Sequence, residues 1–407
     1  MGIVGLATGA TALVTLCAAG LALLILAWAA SRRALAGLGV QRDVYPSAFE
    51  DDPVRVELRL DNRGRRATAL VEVVDAFAAG IADRQALLEP GPLGPLRRRR
   101  LAYRSAASKP WGEYRIGPIL LGACDALGLF AARRAVPEVE TFTVFPLVHH
   151  VAALDRLGGR ASLAPQALTA GRSGQSLDYL GAREYRPGDD VRRIHWPATA
   201  RRGVAVVREH EVDLIPYFTL FVDLQREGRA GTGRKSTLEY VVRTAASLVW
   251  TAAGRGDVVQ LLGEGSQPLL VPPGRGEIHA TRCLYELVRV RQEGRLPLLD
   301  LVLRSRPLLP RGSTAALLCS GLALDVLRLE EELAGLQAAG VVPVVFVVDD
   351  ASFVGIDRPP LPATEAAARR ERLTCVLAER SVAGRILGAQ DDLGRALART
   401  GLFGDAA

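Results

Sequence analysis

Arg183-Glu184-Tyr185-Arg186-Pro187-Gly188-Asp189-Asp190-Val191-Arg192-Arg193-Ile194-His195-Trp196-Pro197-Ala198-Thr199-Ala200-Arg201-Arg202-Gly203, running on through Val204 to Glu211, concentrates more geometrically fixed bonding groups than any other part of the chain. Pro187-Gly188 is a turn signal, because proline presets φ and glycine tolerates positive φ, and Asp189 and Asp190 can cap the turn through their side-chain oxygens. Planar guanidinium groups bind carboxylates bidentately, so Arg183, Arg186, Arg192, Arg193, Arg201 and Arg202 beside Glu184, Asp189, Asp190 and Glu209 predict a rigid lattice of ion pairs. Trp196 is expected to anchor that lattice by burial.

The patterns on the two sides of this stretch differ. Downstream, Tyr217–Val222 is a buried-strand run, Ser236–Ala253 is amphipathic at helical spacing, and Val258–Leu262 reads as a strand. Glu277–Val290 then reads as helix, Ala315–Cys319 as strand, Val326–Ala339 as helix and Val341–Val348 as an uninterrupted β run, with Ala363–Ala378 and Asp391–Thr400 as closing helices. Fully apolar strands alternating with helices predict a mostly parallel sheet covered on both faces, over 215–407. Upstream, Val54, Val56, Leu58 and Leu60 alternate with Arg55, Glu57, Arg59 and Asp61, and Asn62-Arg63-Gly64 ends the run as a turn. Leu70–Phe77 and Thr141–Phe145 read likewise, while Arg97–Arg100 reads as a solvated strand end or loop. Short strands without helical stretches predict an immunoglobulin-like β-sandwich over 40–148, with 149–175 as a linker and 176–214 holding the arginine-rich stretch.

The N-terminus is different again. Gly2–Ala30 is 29 residues without a charge. As a helix it would reach roughly 43 Å, against the ~30 Å hydrocarbon core of a bilayer, so 1–34 is expected to be a single membrane anchor. Arg32, Arg33 and Arg42 follow it, and the positive-inside rule places the later chain in the cytoplasm, with membrane lipid met through the span and anionic lipid a better partner for the basic charge than nucleic acid.

A hydrophobic content of 49% over 407 residues is ample for two or three cores. The net charge of +7 comes almost entirely from arginines that alternate with acids, and lysine occurs only at Lys109 and Lys235. No basic face with interleaved aromatics and no nucleic-acid module is present, so nucleic-acid binding is not expected. Five scattered cysteines, Cys17, Cys124, Cys283, Cys319 and Cys375, argue for reduced thiols rather than a disulfide framework or a zinc site.

The central stretch resembles the signature of the bacterial family catalogued as "domain of unknown function 58". The matching pieces are Arg183-Glu184-Tyr185, Pro187-Gly188-Asp189, Arg193-Ile194-His195-Trp196 and Ala200-Arg201. Pro197 departs from the pattern, where the family usually has lysine. The resemblance implies a von Willebrand factor A-like domain after the signature, a MoxR-type AAA+ ATPase as partner, and Arg183, Glu184, Tyr185, Gly188, Asp189, Arg193, Trp196 and Arg201 as the binding stretch. Such domains hold a metal through an Asp-x-Ser-x-Ser loop, which here reads Asp223-Leu224-Gln225-Arg226-Glu227. Both serines are gone, Arg226 brings in a cation, and Gly321 stands where a later aspartate is expected. No metal or cofactor is expected, with Asp223 and Glu227 as the residual ligands.

Gly228–Ser236 lacks the spacing of a phosphate loop and reads as a mobile polar loop. No glycine-flanked nucleophile elbow accompanies His195, whose ring is expected to pack beside Trp196. The reading that follows is a membrane-anchored, non-catalytic adaptor. A metal-dependent adhesion protein and an unrecognised hydrolase are the alternatives.

Overall fold

The computed structural model describes residues 11–68, 70–89, 91–125, 127–155, 179–186, 191, 194–210, 216–321, 324–353 and 362–399. They fall into two compact units, Met1–Leu147 and Val148–Ala407.

The first unit opens with helix α1 (Thr11–Ala36), in which Thr11–Arg33 is long and apolar enough to cross a membrane. One glycine, Gly37, separates α1 from strand β1 (Leu38–Asp43). Then come β2 (Ser47–Phe49), β3 (Pro53–Asn62), β4 (Val71–Phe77), β5 (Arg84–Leu88), β6 (Arg98–Ala106), β7 (Gly112–Cys124), β8 (Ala131–Val136) and β9 (Glu140–Phe145). One sheet runs β1-β3-β6, and the other runs β2-β9-β7-β4-β5 with β8 also on β7. The period-two pattern of β3 is realised side by side: Val54, Val56, Leu58 and Leu60 are buried, while Arg55 and Arg59 face out. Arg98–Ala106, whose start reads as a solvated end, is a full strand whose register against β3 runs from Asp61↔Arg98 to Pro53↔Ala106.

Residues from both sheets fill one core, which includes Leu58, Leu60, Val73, Phe77, Ile119 and Phe142. Leu35 of α1 belongs to the same core. With Ala27 and Ser31 it forms a buried i, i+4, i+8 stripe on the helix, which packs against β7 and β8. The core also holds a polar cluster. Asp75, inward on β4 between Val73 and Phe77, accepts from Arg42 of β1 (Nε to Oδ2, 3.2 Å) and from the Tyr103 hydroxyl of β6 (2.6 Å). Arg42 Nη2 bonds the other oxygen, Oδ1, and both charged side chains are wholly buried. Burial and the Asp75 bond push the Tyr103 hydroxyl's pKa up, so it stays a donor at any pH the fold meets. The cluster ties one sheet to the other.

The second unit is built on a six-stranded sheet of order β16-β15-β12-β17-β18-β19. Its strands are β12 (Tyr217–Val222), β15 (Val258–Glu264), β16 (Pro268–Gly274), β17 (Thr314–Ser320), β18 (Val342–Val348) and β19 (Ala383–Leu387). All neighbours are parallel except β16, which is antiparallel to β15. The helices are α3 (Thr237–Gly254), α4 (Gly276–Val288), α5 (Leu298–Ser305), α6 (Val326–Ala338), α7 (Ala363–Glu379) and α8 (Leu393–Ala398). Phe221, Leu317, Cys319, Val345 and Val347 pack against α5, α6 and α7, while Leu220, Ala316, Leu318 and Val344 point the other way and are also buried. Helix α3 packs on the sheet too. Burial on both faces is why these strands are apolar at most positions.

The segment read as a linker begins inside this unit. His149 N donates to Ser247 Oγ (3.0 Å) and Val151 N to Thr251 Oγ1 (3.3 Å), both on α3, and Val151 and Leu154 are buried. The polar loop at 228–236 is a tight antiparallel hairpin, β13 (Gly231–Thr232) with β14 (Lys235–Ser236), and Ser236 caps α3 by accepting from Glu239 N (3.2 Å).

Candidate functional site

Two places in the second unit hold chemistry. The first is the carboxyl edge of the parallel strands, where open α/β sheets gather their ligands. Asp223 directly follows β12, Ser320 ends β17, and Asp349-Asp350 directly follow β18. Asp223 is buried, and its two oxygens accept from backbone amides: Oδ1 from Gln225 N (3.0 Å) and Oδ2 from Ser320 N (3.0 Å). Its carboxylate therefore stitches the ends of two neighbouring strands. Burial pushes its pKa up, the Ser320 and Gln225 amides pull it down, and Glu227 adds a small upward push, with the net direction upward. The Ser320 hydroxyl lies close enough to favour the charge without making a well-directed bond.

Asp349 is similarly occupied. Its Oδ1 accepts from Ala351 N (3.1 Å), and its Oδ2 pairs with Arg370 Nε of α7 (2.6 Å). Space at the edge is closed by glycines. A Cβ on Gly228 would stand 1.7 Å from the Ser320 carbonyl oxygen, so only glycine lets this loop lie on the β17 end. Gly321, at φ +133°, would bring a Cβ within 3.3 Å of the Asp350 carboxylate. Arg226, expected to project a cation into a metal pocket, is instead exposed with Glu227 in a short 3₁₀ turn, Arg226–Gly228. With Asp223 committed to amides and Glu227 in solvent, these residues do not fit a divalent cation. Among the described residues, no group of three or more His, Cys, Asp or Glu side chains is placed to hold a metal.

Cys319 is buried beside Asp223, and burial first and that carboxylate second hold its thiol far above its ordinary pKa. It is not a thiolate nucleophile. The Asp349-Asp350 pair was missed in the sequence, although two acids directly after the apolar Val341–Val348 run are what the end of a buried strand looks like.

The second place is the arginine-rich stretch. Strands β10 (Tyr179–Glu184) and β11 (Val206–His210) pair as an antiparallel ribbon, and α2 (Trp196–Arg202) lies between them in sequence. Tyr185 N donates to Ala205 O (2.8 Å), His195 N to Val206 O (2.7 Å), and Val206 N to Thr199 Oγ1 (3.0 Å), fastening the helix to the ribbon. His195 is the helix N-cap: its Nδ1 accepts from Ala198 N at 3.0 Å, which fixes the neutral Nε2–H tautomer. Gly203, left-handed at φ +70°, closes the other end by donating to Thr199 O.

This corrects one expectation. Trp196 is not a buried anchor: it is 68% exposed at the first position of a helix that buries none of its residues. A seven-residue helix lashed by its caps and by Thr199 needs no apolar anchor of its own. His195 is held by the cap bond. Arg201 is exposed in the last turn, Glu184 is exposed, Tyr185 is half-buried, and Arg183 has its backbone in β10. Gly188, Asp189, Asp190, Arg192 and Arg193 lie outside the described residues.

This ribbon and helix, followed by the first part of the parallel sheet, are the region that a known family shares. Residues 181–325 match the family "Protein of unknown function DUF58". The DUF58 match thus runs from the ribbon through α3 and β17 to the N-cap of α6. Uncharacterised proteins of Mycobacterium tuberculosis and Mycobacterium bovis are each 30% identical over 112 residues, which is 27% of this chain and 35% of theirs. The chain therefore spans about a third of the length of the curated relatives it matches. Among solved structures, a CARDB domain from Pyrococcus furiosus is 17% identical over 27% of this chain and 87% of its own, with a TM-score of 0.20. An alpha-2-macroglobulin fragment from Escherichia coli is 17% identical over 27% of this chain and 16% of its own, with a TM-score of 0.21.

Proposed function

We propose that the protein is a membrane-anchored, non-catalytic adaptor working with a MoxR-type AAA+ ATPase. In this reading its sheet-built second unit is a metal-degenerate von Willebrand A-like domain, its first unit is an immunoglobulin-like sandwich, and both face the cytoplasm. The observation that carries the adaptor reading is the exposure of Trp196 on a helix whose two ends and one side are fixed by hydrogen bonds. A large aromatic held in solvent by a rigid frame, with Arg201 and Arg202 one to two turns on, has the make-up of an interface hot spot. A metal-dependent adhesion domain would need the oxygens that Asp223 gives to Gln225 and Ser320.

The test is co-purification of the ATPase from detergent-solubilised membranes, with and without ATP. Trp196→Ala is expected to leave the melting of the full chain within about 0.5 kcal/mol of wild type, since the ring is mostly exposed. Retention of the partner should fall roughly 30-fold, as for a hot spot of about 2 kcal/mol. Full retention by the variant, or a collapsed melting transition, would refute this role for Trp196.

A further inference from the structure

The end of α1 is surrounded by arginines that come from distant parts of the chain. Loop 63–66 reads Arg63-Gly64-Arg65-Arg66, and Arg63 N donates to Gly37 O at 2.7 Å, directly at the junction of α1 and β1. Gly64 lies against Gly37 so closely that a Cβ on Gly37 would stand 2.9 Å from the Gly64 backbone. Asn62, almost fully buried, ties this loop to a third segment. Its Nδ2 donates to Arg66 O (2.9 Å), Leu93 O (3.0 Å) and Gly94 O (3.1 Å), and its Oδ1 accepts from Gly64 N (2.9 Å). Its own backbone N donates to Arg97 O at 3.0 Å. One buried side chain thus fixes the loops that carry Arg65, Arg66 and Arg97 next to the helix end that carries Arg32 and Arg33.

All five of these arginines are exposed, and among the described residues none makes an ion pair. Arg63 and Arg98 share the neighbouring carboxylate, Asp61, at 3.1 and 3.7 Å. Exposed guanidinium groups carried on segments tied to one helix end add to a local positive potential that attracts an anion. The place says which anion. Gly37 follows Arg33, the last residue of the membrane-competent span, by four positions, or about 6 Å of helix. Trp28 lies one turn before, with the Arg32 guanidinium over its ring at 4.8 Å, an aromatic and cation pair of the kind that settles at headgroup depth.

We infer that Arg32, Arg33, Arg65, Arg66 and Arg97 form a preorganised collar that binds the phosphates of anionic phospholipids around the membrane helix. It adds a headgroup site built by tertiary structure to what the span alone would give. The inference rests on α1 being inserted in a bilayer, but not on the adaptor role or its partner.

The experiment uses the full chain in a mild detergent, offered an equimolar mixture of phosphatidylglycerol and phosphatidylcholine, with retained lipid counted by native mass spectrometry. Wild type is expected to retain phosphatidylglycerol preferentially, and 0.5 M salt should weaken that preference. Each arginine near an anionic surface is worth about fivefold, so R65S/R66S/R97S should lower the preference on the order of 100-fold. The lysine triple R65K/R66K/R97K should keep most of it, and R311S/R372S, exposed arginines of the second unit, should keep all of it. Thermal melting confirms that each variant is folded, and carbonate-resistant membrane association reports insertion of α1 separately. No lipid preference in wild type, an undiminished preference in the serine triple, or capture of heparin in place of phosphatidylglycerol would overturn the collar.

Discussion

Asp75→Ala is expected to cost the first unit about 3–5 kcal/mol, because it leaves the Arg42 guanidinium in a closed core without a counter-charge. Arg42 already has one nitrogen, Nη1, without a partner, so no reserve of acceptors exists inside the sandwich to take up the loss. Tyr103 loses its acceptor in the same change, which leaves a second, partly buried donor without its partner. Hydrogen exchange of the β3, β4 and β6 amides in the detergent-solubilised full chain measures this locally, and opening should become more frequent by two to four orders of magnitude. The companion double change, Arg42→Met with Asp75→Leu, should cost much less than Asp75→Ala alone, since it removes both charges from the core. If the double change is as damaging as the single one, the cost lies in packing and the charge argument fails.

The second large effect is expected at the carboxyl edge. Asp223→Ala removes the acceptor from Ser320 N and Gln225 N together, and at roughly 1–3 kcal/mol per stranded amide, less the relief of an unburied charge, a loss of about 2–4 kcal/mol follows. Its pH dependence has a definite sign. The folded-state pKa of Asp223 is raised, so the folded protein binds this proton more tightly than the unfolded chain does. Wild-type stability therefore gains from this group as pH falls through the raised value towards the ordinary carboxylate range near 4. The alanine variant has no such gain. The gap between the two melting curves should widen on acidification across that window, and a gap that narrows would contradict the direction of the shift. An unchanged melting point at neutral pH would show that the carboxylate does not stitch β12 to β17.

Much of the second unit is legible in the sequence because its central strands are buried on both faces, which leaves runs such as Tyr217–Val222 and Val341–Val348 with no polar residue except Thr219. The edges are not legible. Strand β16 carries Pro268, Pro272 and Pro273, which argue against a strand until its place at the end of the sheet is known, where one side needs no hydrogen bonds. At the other edge, β19 is only Ala-Gly-Arg-Ile-Leu, and its pairing with β18 supplies what its composition lacks.

The candidate site divides in the same way. Asp223 could be picked out because it stands where the resemblance places the first residue of a metal loop, but its commitment to two amides depends on Ser320, nearly a hundred residues away. Trp196 is illegible for a related reason: an aromatic among charges resembles an anchor unless its exposure is visible. Asn62 reads only as the start of a turn, since three of its bonds go to carbonyls that local pattern does not connect with it.

The stripe Ala27, Ser31 and Leu35 also bears on how α1 would act as the proposed membrane anchor. A tethered domain diffuses about its linker and forgets the angle of its helix. Here one glycine and a shared core make the helix a stem, so the sandwich inherits whatever tilt the helix adopts. Helices longer than the local hydrocarbon thickness respond by tilting. With α1 inserted in a bilayer, as proposed above, a change in bilayer thickness would become a rotation of the first unit, and bilayer composition would set the direction in which its exposed strands point.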